Sequence, residues 1–188
     1  MAATNTKNVL ALSPKASGGV LAAPLGTDVP TGLTVDLDEA FVSLGYVSED
    51  GVTETVSRDV EKIKAWGNQT VKILTTDHEA TWSLSLLEVA NLDALRSVYG
   101  SNAVEKDDDS GEVTVKIAAT ELPEQTIVFD MYDKGTDVAE RIVIPRARVT
   151  EIGDVVYTHG DISRFEITLE ALEDADGNKA YKYTSGGE

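Results

Sequence analysis

Residues 44–100 read LGYVSEDGVTETVSRDVEKIKAWGNQTVKILTTDHEATWSLSLLEVANLDALRSVYG, and this stretch decides the fold class. It opens on β-type residues and passes through a polar connection, residues 50–70, that carries charges and Trp66. It then returns in strands at 70–74 and 81–86. Trp82, Leu84 and Leu86 alternate with Thr81, Ser83 and Ser85, which gives one apolar and one polar face. The stretch closes in a short helix. Asn91 is placed to cap the first turn, Leu92, Leu95 and Val98/Tyr99 recur at helical spacing, and Gly100 follows the last turn. A helix of this length is marginal alone, so Leu92 and Leu95 must pack on the sheet.

The alternation continues outward from there. Val113, Val115 and Ile117 repeat it, then Ile127, Phe129 and Met131. Phe165, Ile167, Leu169 and Ala171 give the cleanest case, with Arg164, Glu166, Thr168 and Glu170 opposite. Further strands are expected at 33–37, 41–47, 139–144 and 148–158. Residues 1–32 hold three of the five prolines among small residues and read as an arm with one short strand at 9–12. The expected organisation is an arm (1–32), a β domain (33–172) and a C-terminal acidic turn and tail (173–188).

The chain has 188 residues, enough for one domain that buries roughly 70% of the surface of its unfolded chain. Its composition is that of an ordinary globular protein. There is no cysteine, so disulfides, thiolate metal sites and a cysteine nucleophile are excluded. The N-terminal sequence lacks the pattern of a signal peptide, and no apolar run is long enough for a membrane helix. A net charge of −17 disfavours attraction to nucleic acid or an anionic membrane.

Chemical motifs fare poorly. Asp174, Asp176 and Asn178 alternate as calcium ligands would, but Lys179 stands where an EF-hand loop needs glycine and Ser185 where it needs a bidentate acid. The runs EKDDDSGE (105–112) and EDADGNK (173–179) read as acidic turns. His78 and His159 lie in no catalytic or zinc-binding motif, and no phosphate-binding glycine loop is present. Trp82 reads as core. Trp66 suits a contact between molecules, or a sugar platform. Two basic clusters stand out on this acidic chain: Arg141, Arg146 and Arg148, and Arg58, Lys62 and Lys64 before Trp66. Each is either a solvated face or the complement of an acidic patch on a neighbour.

The order of N-terminal arm, strand, the long connection DGVTETVSRDVEKIKAWGNQT, the strand TTDHEATWSLSLLE, the lone helix NLDALRSVYG and a final ISRFEITLEAL resembles the major tail tube proteins of tailed phages, of the actinobacteriophage-type siphophages. The resemblance implies a mainly β fold, a sandwich or partial barrel with one helix, a flexible arm and an inter-ring loop. It also implies a structural virion protein, not an enzyme, without cofactor. Its copies would form stacked sixfold rings around a channel for DNA. Implied partners are further copies, the tape measure protein, the tail terminator and the distal tail protein, and DNA would pass without specific binding. By position, Arg58, Lys62, Lys64, Trp66 and Asn68 would belong to the inter-ring loop. Glu88, Asp130, Glu166 and Glu170, on polar sides of alternating strands, are candidates for an acidic lumen. The arm and residues 50–70 are expected to order only on assembly, in host cytoplasm and then in the virion tail. The alternatives are a related distal-tail or type VI secretion tube component and a secreted carbohydrate- or calcium-binding β-sandwich.

Overall fold

A computed structural model describes residues 5–15, 19–119 and 121–185. Expectations for the arm at 1–4 and 16–18 lie outside the described residues. Among the described residues eleven strands form: β1 (Ser13–Pro14), β2 (Val20–Pro24), β3 (Val42–Ser43), β4 (Val47–Lys64), β5 (Thr70–Leu86), β6 (Val104–Lys106), β7 (Val113–Val115), β8 (Gln125–Tyr132), β9 (Ala139–Ile152), β10 (Phe165–Ala171) and β11 (Tyr181–Thr184). One α-helix, α1 (Leu92–Tyr99), lies between β5 and β6.

The main sheet is antiparallel with the order β3-β2-β8-β9-β10-β5-β4. Laid flat, its six inter-strand steps would separate the outer strands by about 29 Å. Yet β3 ends at Ser43 and β4 starts at Val47, and four residue steps span at most about 14 Å. The sheet must therefore curl into a partial barrel. The link joins both margins directly: Leu44 N–H donates to the Val20 carbonyl, and Leu87 N–H donates to the Tyr46 carbonyl.

Inside the curl lie Val20 and Ala22 of β2, Ile127 and Phe129 of β8, Ile142, Ile144, Ala147 and Val149 of β9, Phe165, Ile167, Leu169 and Ala171 of β10, and Trp82, Leu84 and Leu86 of β5. Helix α1 adds Ala94, Leu95 and Val98, and Tyr99 meets the Phe165 ring edge-on with centroids 5.7 Å apart. The helix forms as its sequence requires. The Asn91 side chain accepts hydrogen bonds from the Asp93 and Ala94 amides, and Gly100 ends the last turn at φ 89°, its N–H donating to the Arg96 carbonyl.

Several elements differ from expectation. No strand forms at 9–12, where Val9 is exposed. Val20–Pro24, inside the segment read as an arm, is instead a strand between β3 and β8. Alanines 22 and 23 suit a strand covered on both faces, but carry little strand propensity. Residues 33–37 form no strand, with bends at 33–35, and 41–47 shrink to Val42–Ser43 because Gly45 turns the chain at φ 86°. The two strands expected at 139–144 and 148–158 are one strand, β9, which runs through Pro145 and ends at Ile152. Proline is tolerated there because the β8–β9 register shifts between Gln125 and Ile127, and the Thr126 hydroxyl bonds the Pro145 carbonyl. The C-terminal tail contributes β11, paired with β9.

Candidate assembly interface

Strand β5 has two lives. From Thr81 to Leu86 it pairs with β10 on one side and β4 on the other. Before Thr81 it pairs with β4 alone, as far as Lys64 opposite Thr70. Residues 50–70, expected as a loop that orders on assembly, are therefore mostly strand: a two-stranded ribbon that runs beyond the barrel. From Ser57 to Lys64 it spans about 25 Å.

Its tip is a tight turn. Asn68 N–H donates to the Ala65 carbonyl at 2.9 Å and Ala65 N–H to the Gln69 carbonyl at 2.8 Å. Asn68 takes φ 63°, a left-handed conformation that asparagine tolerates better than most residues. Trp66 stands wholly in solvent at this tip. The turn 172–179 buttresses the ribbon's base, where the Lys179 ammonium bonds the His78 carbonyl.

Residues directly opposite in an antiparallel pair share a face, so the register sorts the ribbon's side chains. Val56 and Ala80, Arg58 and His78, Val60 and Thr75, Lys62 and Ile73, then Lys64 lie on the side that continues the barrel interior, since Trp82 and Leu84 are on it. The other side carries Ser57 and Glu79, Asp59 and Asp77, Glu61 and Leu74, and Ile63 and Lys72. One face is apolar and basic, and the other is mainly acidic. Beyond Ala80 the inward-type face has no core beneath it: Val56, Val60 and Ile73 are 53%, 49% and 58% exposed. Arg58, Lys62 and Lys64 make no ion pair among the described residues.

The acidic face runs on into the outer face of the barrel. There Thr53 and Thr55 of β4, Thr81, Ser83 and Ser85 of β5, and Glu166, Thr168 and Glu170 of β10 form a sheet surface of small polar and acidic groups. Glu166 and Glu170, two of the four candidate lumen acids, lie on it. The other two do not. Glu88 accepts hydrogen bonds from the Tyr46 amide and the Asn91 side chain, so it tethers the β3–β4 link to the helix cap.

Asp130 is a correction: it is buried. Period two places it opposite Phe129 as expected, but Gly32 and Val35, in the segment between β2 and β3, lie against that face through Arg141. Arg141 grips Asp130 through two hydrogen bonds, of 2.6 and 2.8 Å, and holds the Gly32 and Val35 carbonyls with its remaining nitrogen, while Lys15 approaches at 3.3 Å. Burial works to raise the Asp130 carboxyl, but the hydrogen bonds and charge of Arg141, with Lys15 behind them, hold it below the usual carboxylate range. Arg141 is thus no part of a basic surface. Arg146 and Arg148 are paired too, both with Glu124, and Arg148 also with Glu121.

The Asp174 carboxylate is taken by the Asp176 and Asn178 amides and the Tyr181 hydroxyl, which together hold it below the usual range. Among the described residues no three His, Asp or Glu side chains group as metal ligands, and no helix is long and apolar enough to cross a membrane. An apolar concavity of about 620 Å³ lies at the barrel's seam between β1, β2 and β4, over Trp82 and Phe129.

The sequence matches the family described as phage tail tube protein over residues 2–186. The chain belongs to that family. It is a structural component of a phage tail tube, not an enzyme. Among solved structures it is similar to the cap of the anti-feeding prophage (the tube-terminating cap), with a TM-score of 0.48 and 10% identity over 92% of this chain and 93% of that one. It is likewise similar to a chain of the PVC sheath–tube complex of an extracellular contractile injection system in the extended state, with a TM-score of 0.49 and 9% identity over 98% of this chain and all of that one. No curated protein matches it. Membership makes this tail tube component a constituent of the virion tail.

Sequence reading missed Val56, Val60 and Ile73 as exposed apolar residues of the ribbon and as candidates for a contact. The signal was present in β4: even positions 56–64 read Val, Arg, Val, Lys, Lys and odd positions 57–63 read Ser, Asp, Glu, Ile. Arg58, Lys62, Lys64, Trp66 and Asn68 fall together on the ribbon, the first three on one face and the last two at the tip.

Proposed function

We propose that copies of this chain close side by side into rings, six per ring by the family resemblance, and that the rings stack into a tube. The observation that carries this reading is β4. It is an outer strand of 18 residues whose second backbone edge meets no strand among the described residues, and it stands partly outside its own core. Such an edge is a template for pairing, and ring closure removes it. The uncovered polar face of β4, β5 and β10 is the lumen wall in this reading, with Glu166 and Glu170 as lumen acids. Like charge keeps a DNA duplex, with roughly one negative charge per 1.7 Å, from adhering. The tape measure protein, tail terminator and distal tail protein would meet this tube at its core and ends, after assembly in host cytoplasm.

A ring of six would carry roughly 100 negative charges, so repulsion opposes assembly at low ionic strength. Negative-stain microscopy of concentrated protein tests the reading across a salt series. Hollow filaments, more abundant as added salt shortens the Debye length to about 10 Å or less, are expected. Isolated particles under every condition would reject it.

A further inference from the structure

The ladder that joins the ribbon to the barrel is interrupted at one place. From Thr55 opposite Thr81 to Asp59 opposite Asp77 the register of β4 and β5 is continuous, but the next pair is Val60 opposite Thr75, so Thr76 has no partner on β4. An extra residue on one strand is a β-bulge, which disrupts the local ladder, bends the strand and increases its twist. It also inverts the parity of β5. Asp77 shares the acidic face with Asp59, whereas Thr75, two residues away, shares the opposite face with Val60.

Beside the bulge stands a pair of like charges. Asp59 and Asp77 are directly opposite, which sets their Cβ atoms about 4.5–5.5 Å apart and destabilises the pairing of the strands. Glu79 and Glu61 flank them on the same face, where Lys72 is the one base of the ribbon. None of the four acids has an ion-pair partner among the described residues. Asp77 instead accepts the adjacent His78 amide at 2.8 Å. On the barrel side of this point the ribbon is held: the Lys179 ammonium bonds the His78 carbonyl, and three residues on, at Thr81, β5 begins to pair with β10. On the other side the ladder resumes at Val60 opposite Thr75, continues to Ile63 opposite Lys72, and is closed by the bonds of Ala65 with Asn68 and Gln69 at the tip. Two intact ladders, one anchored and one free, meet at a bulge, and such element-terminal positions are where hinges absorb a change of backbone angle.

We propose that the ribbon is a lever hinged at Thr76, in which the repulsion between Asp59 and Asp77 keeps the hinge loose, so that residues 60–75 swing as one preformed unit about Asp59, Thr76 and Asp77. The device differs from a loop that lacks structure until a neighbour orders it: the strand pairing of 60–75 persists while its direction changes. It belongs to the single chain and operates without a second copy.

Residual dipolar couplings of the ¹⁵N-labelled full chain, held monomeric at low ionic strength in a weakly aligning medium, test the hinge. Amides 60–75 should keep strand chemical shifts and fit a second, weaker alignment tensor of their own, distinct from that of the barrel. One tensor for ribbon and barrel would overturn the hinge, as would couplings near zero with random-coil shifts across 60–75, the mark of a melted loop. Two variants address the cause. Deleting Thr76 joins the Asp59–Asp77 and Val60–Thr75 pairs into an unbroken ladder without changing a partner, and should return a single tensor. Two tensors in that variant would overturn the placement at Thr76. D59N/D77N keeps the bulge and removes the repulsion, and should slow amide exchange at residues 57–61 and 75–79 about two- to fivefold, the gain from relieving one like-charged pair. Unchanged exchange there would overturn the part given to the two acids. Filament formation enters none of these readouts, so the hinge and the tube stand or fall separately.

Discussion

One strand, β5, carries the same alternation at both ends and does opposite things with it. Between Thr81 and Leu86 its apolar residues are buried: Trp82 is 1% exposed and Leu86 not at all. Between Thr70 and Ala80 the pattern persists, with Ile73 opposite Lys62, but no core among the described residues lies beneath it. Burial of a side chain such as Ile73 is worth about 1.5–3 kcal/mol, and the isolated protein leaves that gain uncollected in the ribbon. A strand pattern that outruns its own core encodes a surface for another molecule.

The contrast can be broken most sharply at the barrel. Trp82→Ala should destabilise the monomer by about 3–5 kcal/mol, read from urea unfolding, because a large indole leaves a cavity that the surrounding strands cannot fill. Asp130→Ala should cost about 3–5 kcal/mol by stranding the buried Arg141, and should loosen the hold of Arg141 on the Gly32 and Val35 carbonyls, visible as lost amide protection around residues 32–35. The same pair sets a pH dependence. The folded Asp130 carboxyl lies below its unfolded value, so its contribution is complete above about pH 4 and is lost as pH falls through the folded value. Asp130→Asn should flatten the acid limb of the stability profile. Asn91→Ala should cost about 1 kcal/mol through the lost α1 cap. Smallest of all, Ile73→Ser should leave monomer stability within about 0.5 kcal/mol, since Ile73 is exposed, while abolishing filaments seen by microscopy if the ribbon meets another copy as proposed.

Where local pattern and burial coincide, the sequence was legible. The Asn91 cap, the leucine spacing and Gly100 bound α1 almost to the residue, and Phe165 to Ala171 announce β10 with the correct inner face. The ribbon was not legible as strand. Arg58, Asp59, Glu61, Lys62 and Lys64 look like a solvated loop when counted together, and separate into two faces only when read by parity. Val20–Pro24 was hidden by its alanines and proline, whose strand state is imposed by neighbours β3 and β8. Asp130 shows the other limit. Its face was read correctly, but Gly32 and Val35, which lie against that face through Arg141, are far away in sequence, and no local pattern reports them. Of the lumen candidates, Glu166 and Glu170 remain on open sheet, because nothing among the described residues crosses that face of β10.

The central claim is that the ribbon is dispensable for folding and required for assembly. Excising residues 60–76 and joining Asp59 to Asp77 through an Asn-Gly turn removes the free part of the ribbon, and leaves every barrel pair intact. Thermal unfolding and electron microscopy of this variant beside the parent test the claim most directly. The account predicts a folded monomer with the parent's melting temperature and no hollow filaments. An unfolded variant, or filaments indistinguishable from those of the parent, would contradict it.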